Sequence, residues 1–149
     1  MIKTEKAKEL FASGFNCAQA VLVPFCDRHG IGEKQALLIA CGFGGGVGRS
    51  DNMCGAVSGA VMALGLKYGA EKASDKEKKE LCYAKVREFI LSFRNKYGEV
   101  SCTGLLGCNM STKEGFEEAK MKEVHTKICP KFVEFAAGYL EGLEHGSEH

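Results

Sequence analysis

The sequence has no tryptophan, only two prolines, no surplus of either charge and no long apolar run. Aromatic residues make up 9% of it, too few for a stacking platform that would hold single-stranded nucleic acid. Twenty Lys and Arg against nineteen Asp and Glu leave a formal charge of +1, so there is no electrostatic case for nucleic acid or an anionic membrane. The longest apolar stretch, Met53 to Leu66, is interrupted by Gly55, Gly59 and Gly65, and it falls short of the roughly 20 residues that a bilayer span needs. No C-x-x-C occurs, which removes zinc-finger, ribbon and ferredoxin spacings. Acidic residues are spread among lysines as on solvated helix faces, which gives no support to Ser-His-Asp or paired-carboxylate catalysis.

What is abundant is helix-forming residues and cysteine. With 149 residues the chain fits one domain, spanning 1–149, able to bury roughly 70% of its unfolded surface. Fifteen Ala and twelve Leu, with no period-2 alternation, predict an all-α fold, a bundle of six or seven helices. Helices are expected over Thr4–Ala12, Cys17–Arg28 with a disturbance at Pro24, and Glu33–Cys41. A glycine-rich loop follows from Gly42 to Asn52. Asp51 or Asn52 caps the next helix, which runs to Tyr68. Capping boxes at Ser74/Glu77 and Ser111/Glu114 open helices ending near Tyr97 and Glu123. A short turn covers Cys102–Leu106, and Pro130 starts a last helix to Glu144. The tail 146–149 is expected to fray.

Eight cysteines are too many for an ordinary cytosolic enzyme and too few for a disulfide scaffold. Residues Met1 to Ala12 are charged and show no apolar run ahead of a cleavage site, so the expected compartment is a reducing cytoplasm. There, cysteines serve as metal ligands, redox thiols or small core residues. Cys17 follows the cap Asn16, Cys54 follows Asp51 and Asn52, Cys102 follows Ser101, and Cys129 precedes Pro130. All four fall at expected helix N-termini, where free amides and the positive dipole end stabilise a thiolate. Such a thiolate is the better ligand and nucleophile. Cys82 lies on the apolar stripe Cys82, Val86, Phe89, Ile90, Phe93 and Tyr97, and is expected to be core. Cys26 and Cys41 fall near helix C-termini, and Cys108 lies in an irregular segment.

The loop offers Gly44, Gly45 and Gly46 as candidate cofactor-facing glycines, but no phosphate-cradle register or Gly-Lys-Ser/Thr ending accompanies them. Its glycines are expected to fold the backbone tightly over something buried. Gly55, Gly59 and Ala63 share one helix face, which is expected to pack closely on another helix backbone, its alternative being to admit a bulky cofactor. Arg49 either faces solvent or offsets thiolate charge. His125, one turn before Cys129, is expected to face solvent, its alternative being to replace a thiolate as ligand.

These residues carry a resemblance. Gly14-Phe15-Asn16-Cys17-Ala18-Gln19-Ala20, Gly42 to Gly48, Cys54-Gly55-Ala56-Val57-Ser58-Gly59 with Gly65-Leu66-Lys67-Tyr68-Gly69, Ser101-Cys102 with Leu105-Leu106-Gly107, and Cys129-Pro130 resemble a bacterial and archaeal family. That family is described as redox-active and named for its C-GCAxxG-C-C cysteine signature. The resemblance implies that Cys17, Cys54, Cys102 and Cys129 are the signature cysteines, and it leaves Cys26, Cys41, Cys82 and Cys108 outside the signature. A similar cysteine-bearing region in split-Soret cytochromes has been suggested to hold an iron–sulfur site.

Three functional readings stand together at this stage. In the first, a redox or electron-transfer protein holds an iron–sulfur cluster on Cys17, Cys54, Cys102 and Cys129. The second is a metal-free thiol–disulfide redox protein, an oxidoreductase if an enzyme, with Cys54 as nucleophile because its helix start is best supported. The third is a structural module with zinc on the same four cysteines. The expected partner is an unidentified redox protein. A homodimer is compatible with the small-residue faces, though no residue argues for one.

Overall fold

The computed structural model describes residues 2–146, and the frayed tail expected beyond Gly146 lies outside the described residues. Among the described residues the secondary structure is helical, apart from one isolated antiparallel bridge between Met53 and Ser101. The helices are α1 (Ile2–Ala12), α2 (Cys17–Leu22), α3 (Glu33–Cys41), α4 (Gly44–Val47), α5 (Gly55–Tyr68), α6 (Lys76–Tyr97), α7 (Cys102–Leu106), α8 (Lys113–Met121), α9 (Val124–Lys127) and α10 (Cys129–Glu144). Seven run six residues or more, while α4, α7 and α9 are single turns of four or five. The expected all-α class is therefore what the chain forms.

The centre of the fold is α5, packed on α2, α6 and α10, with α1 laid along α10. The glycine face of α5 explains how α2 comes so close. A Cβ on Gly59 would stand 2.8 Å from the Ala18 carbonyl oxygen, and one on Gly55 would stand 3.1 Å from the Cys17 Cβ. Only hydrogen at these positions lets the two backbones meet. On the other side, the stripe of α6 buries Phe89 and Phe93 completely. Phe93, Tyr97, Phe132 and Phe135 interlock edge to face, with Tyr97 and Phe132 centroids 4.9 Å apart at 85°. Such geometry favours aromatic pairs beyond the area they bury. It seats the first half of α10 firmly.

Several local expectations differ from the structure, each for a physical reason. α2 stops at Leu22 and continues as 3₁₀ turns over Val23–Phe25 and Asp27–His29, because Pro24 cannot continue an α-helical ladder. The caps of α6 and α8 are Asp75 and Thr112, one residue beyond Ser74 and Ser111. Asp75 accepts from the Lys78 amide at 3.2 Å, and Thr112 accepts from the Gly115 amide at 2.9 Å. Ser111 is engaged instead with the Asn109 side chain at 2.5 Å. Neither Asp51 nor Asn52 caps α5. Cys54 does, because residues 52–54 are drawn into an extended pairing with residues 100–102. α8 ends at Met121, and Glu123, at φ 53°, turns the chain into the separate turn α9. Cys82 sits half-buried in a surface groove with Gly65 and Tyr83, at the outer end of the α6 stripe rather than in the core.

The α1–α10 contact is closed by a buried carboxylate. Glu141 accepts from the Thr4 amide at 2.9 Å, the Thr4 hydroxyl at 2.8 Å and the Lys3 amide at 3.2 Å. It thereby satisfies free amide donors at the start of α1.

Candidate functional site

Each signature cysteine is placed by a local device. Cys17 is the first residue of α2, set by a capping box in which the Gln19 amide donates to Asn16 Oδ1 and the Asn16 amide to Gln19 Oε1, both at 3.0 Å. Asn16 Nδ2 also donates to the Cys41 carbonyl at 2.9 Å, pinning this helix start to the end of α3. Cys54 and Cys102 are brought together by the bridge. The Cys54 amide donates to the Val100 carbonyl at 2.8 Å, and the Cys102 amide donates to the Asn52 carbonyl at 2.9 Å. Ser101 caps α7 by accepting from the Gly104 amide at 3.0 Å. Cys129 is the first residue of α10, with Pro130 second. All four cysteines thus stand at helix starts.

The glycine loop does fold over them. Gly45, Gly46, Val47, Gly48 and Arg49 all have φ between 62° and 78°, a left-handed turn that non-glycine residues enter only at a cost. A Cβ on Gly46 would lie 2.6 Å from the Cys102 Cβ and 3.0 Å from the Asn52 carbonyl oxygen. Gly44 packs on the Asn16 side chain, and Gly45 lies beneath the Arg49 side chain. Of the candidate cofactor-facing glycines, Gly45, Gly46 and Gly55 line the cavity between the cysteines, whereas Gly44 and Gly59 do not.

That cavity measures about 30 Å³, and its lining includes Cys17, Cys54, Cys102, Cys129, His125 and Phe132. A space of this size has room for about two waters. In chemical type the four thiols suit a cysteine-ligated metal or cluster. In spacing, no three His, Cys, Asp or Glu side chains among the described residues are arranged to hold a metal ion.

The four thiols are not equivalent. Burial pushes the Cys54 thiol up to about 12, overriding the opposing pull of the Ala56 and Val57 amides at the start of α5. Burial also pushes Cys102 up to about 11, with help from the nearby Cys129 and Asp51 charges. Cys17 is raised by the neighbouring Cys129, beside which it keeps its proton, and by burial. Cys129 goes the other way. It is lowered first by the Cys17 thiol beside it and then by the His125 ring, against its burial. The His125 ring is correspondingly raised by the neighbouring Cys129 sulfur. A helix start alone therefore does not make a reactive thiol here. Burial in apolar surroundings outweighs it at Cys54, the expected nucleophile, and the lowered thiol is Cys129.

Two residues gain a place that their local sequence did not reveal. His125 is an exposed residue, yet it lines the cavity together with Cys129. Its spacing one turn ahead of Cys129 was the available signal. Cys108 is buried, 2% exposed, and near enough to Cys102 to raise its pKa. Cys26 is buried and donates its thiol hydrogen to the Val23 carbonyl at 3.1 Å, while Cys41 is exposed. Neither lines the cavity.

Fold and site together define a class: a small all-α protein that gathers four thiols from four helix starts beneath a left-handed glycine turn. The chain belongs to the family described as "Putative redox-active protein (C_GCAxxG_C_C)", whose family model matches residues 15–143. No curated protein and no solved structure matches it. No helix among the described residues is long and apolar enough to cross a membrane.

Proposed function

We propose that the protein is a thiol–disulfide redox protein whose working pair is Cys17 and Cys129, with His125 managing the protons. The observation that carries this reading is that Cys17, Cys129 and His125 line one small cavity, in which Cys17 and His125 both favour a thiolate on Cys129. A thiol held against a thiolate, beside an imidazole, is the arrangement that disulfide exchange requires.

The co-reactant is a disulfide supplied by a redox partner. The Cys129 thiolate takes the Cys17 proton as the Cys17 sulfur attacks one sulfur of that disulfide. The partner's S–S bond breaks, a mixed disulfide forms on Cys17, and the departing thiolate takes a proton from the His125 imidazolium. Cys129 then passes its proton to His125 and attacks the Cys17 sulfur. The mixed disulfide breaks, the Cys17–Cys129 bond forms, and the second thiolate leaves with the proton from His125. Two electrons pass from the cysteine pair to the partner's disulfide, which ends as two thiols. Reduction of the pair is the reverse.

A second reading is favoured by the ligand set itself. Four thiols from separate helix starts, facing one apolar cavity, are of the type that holds an iron–sulfur cluster, and zinc would use the same set. In that reading Cys17, Cys54, Cys102 and Cys129 would be the ligands, and the cavity would have to widen to admit the group. The two readings separate on purification without oxygen, followed by assay of iron, zinc and acid-labile sulfide and by an absorption spectrum. Colourless protein without metal, which loses two thiols per chain on mild oxidation, supports the thiol pair. A broad visible band with iron and sulfide, lost in Cys54→Ala, supports the cluster.

A further inference from the structure

A second and larger cavity opens on the same site from outside. It measures about 610 Å³ and runs between the end of α1, the Gly14–Cys17 segment, Gly45, Arg49 and the α9 turn. Small-molecule sites commonly measure roughly 300–1,000 Å³, so the cleft is of the right order. At its inner end lies Cys17. Cys17 is the signature cysteine that is partly exposed, whereas Cys54, Cys102 and Cys129 are buried, at 6%, 7% and 5% exposed. The cleft gives a reactant a route to the Cys17 sulfur without unfolding the chain.

The lining has one sign of charge. No Asp or Glu borders the cleft, and Arg49 stands on its wall. The Arg49 guanidinium lies 4.6 Å from the Phe116 ring centroid, and among the described residues it makes no ion pair. Its backbone stands at φ 62° at the end of the left-handed glycine turn, and its side chain lies over Gly45. Phe11 and Phe15 supply apolar walls, and Asn16 and Thr126 supply polar groups. An unpaired guanidinium beside an apolar wall and a thiol calls for a small molecule with a carboxylate at one end and sulfur at the other.

We propose that this cleft binds a low-molecular-mass disulfide bearing carboxylates, with a carboxylate on Arg49 and a sulfur against Cys17. The proposal rests on the thiol-pair reading and names the substrate class of that site. The concave shape, with the thiol at its inner end, favours a small molecule over a disulfide on a folded partner. In the exchange already described, the small disulfide is the oxidant and leaves as two thiols.

Three disulfides of nearly equal size test it. Dithiodiglycolate is acidic, hydroxyethyl disulfide is neutral and cystamine is cationic. The rate at which each oxidises the reduced full-length protein is followed by thiol titration, and each rate is divided by that with a free small thiol. The expected result is a clear preference for the acidic probe over the neutral one, and for the neutral over the cationic. In Arg49→Gln the acid-over-neutral ratio falls by about tenfold, the scale of one charge-assisted hydrogen bond. In Arg49→Lys, which keeps the charge, part of the ratio returns. Oxidation by all three probes with no charge preference, or a ratio unchanged in Arg49→Gln, overturns the cleft proposal and leaves the thiol pair standing. Rapid oxidation only by a protein disulfide, with all three small probes inert, likewise overturns it. Failure of every disulfide, small or protein, to remove a pair of thiols overturns the thiol-pair reading and the cleft proposal with it.

Discussion

Cys17 and Cys129 line one cavity beside His125, although one residue opens α2 and the other opens α10. Their surroundings make the two cysteines chemically unlike. Cys17 is the more exposed and is held toward the thiol, while Cys129 is buried and is held toward the thiolate by Cys17 and His125.

This inequality is measurable as thiolate absorbance near 240 nm. One titration step is expected well below the ordinary thiol range of about 8.5, assigned to Cys129. It disappears in Cys129→Ser. It moves to higher pH in Cys17→Ala and in His125→Ala, because each removes a group that favours the thiolate. A step that stays in place in both variants would contradict the arrangement.

The glycine turn carries a graded stability prediction. Gly46→Ala meets the Cys102 side chain at 2.6 Å in addition to requiring φ 78°. Gly48→Ala has the same backbone requirement, but its nearest neighbour is 3.9 Å away. The strain alone costs about 1–2 kcal/mol, and the crowding adds about 1–3 kcal/mol. Urea unfolding should place Gly46→Ala clearly below Gly48→Ala. Equal losses would mean that the turn does not press on the cysteine site.

At Gly59 two effects oppose each other. Alanine improves helix propensity by about 1 kcal/mol, but its Cβ would sit 2.8 Å from the Ala18 carbonyl oxygen, which is backbone and cannot swing away. Overpacking of this kind costs about 1–3 kcal/mol, so Gly59→Ala is expected to lower stability by about 1 kcal/mol. A rise in melting temperature would contradict the close approach of α2 and α5.

Glu141 sets part of the acid limb of stability. Its carboxylate is held below the ordinary range by hydrogen bonds from Thr4 and Lys3, which outweigh its desolvation. A lowered carboxylate contributes stability that is present above its unfolded pKa and is lost as pH falls through the folded value. Glu141→Gln should therefore cost about 1–3 kcal/mol near neutral pH and much less in acid. A loss independent of pH would remove the charge from the explanation.

Much of the fold was legible because its signals are local. Asn16 and Ser101 cap the helices that Cys17 and Cys102 open, and each cap needs only the residues beside it. Pro24 announced a break, and the glycine run announced left-handed backbone. The Cys54 cap was not legible, because Asn52 and Cys54 are claimed by a pairing with residues 100–102 that no local pattern encodes. The same holds for the chemistry. Four cysteines at helix starts could be found by inspection. Their order of acidity could not, because it depends on burial at Cys54 and Cys102 and on which neighbours reach Cys129. The cleft beside Arg49 is assembled from α1, α9 and the glycine turn, and no single stretch of sequence contains it.

The most direct test of the central claim is peptide mapping by mass spectrometry after mild oxidation of metal-free, fully reduced protein. The thiol-pair account predicts loss of two of the eight thiols and one cross-linked peptide pair joining Cys17 to Cys129. Retention of all eight thiols, or a cross-link that leaves out Cys17 or Cys129, would contradict it.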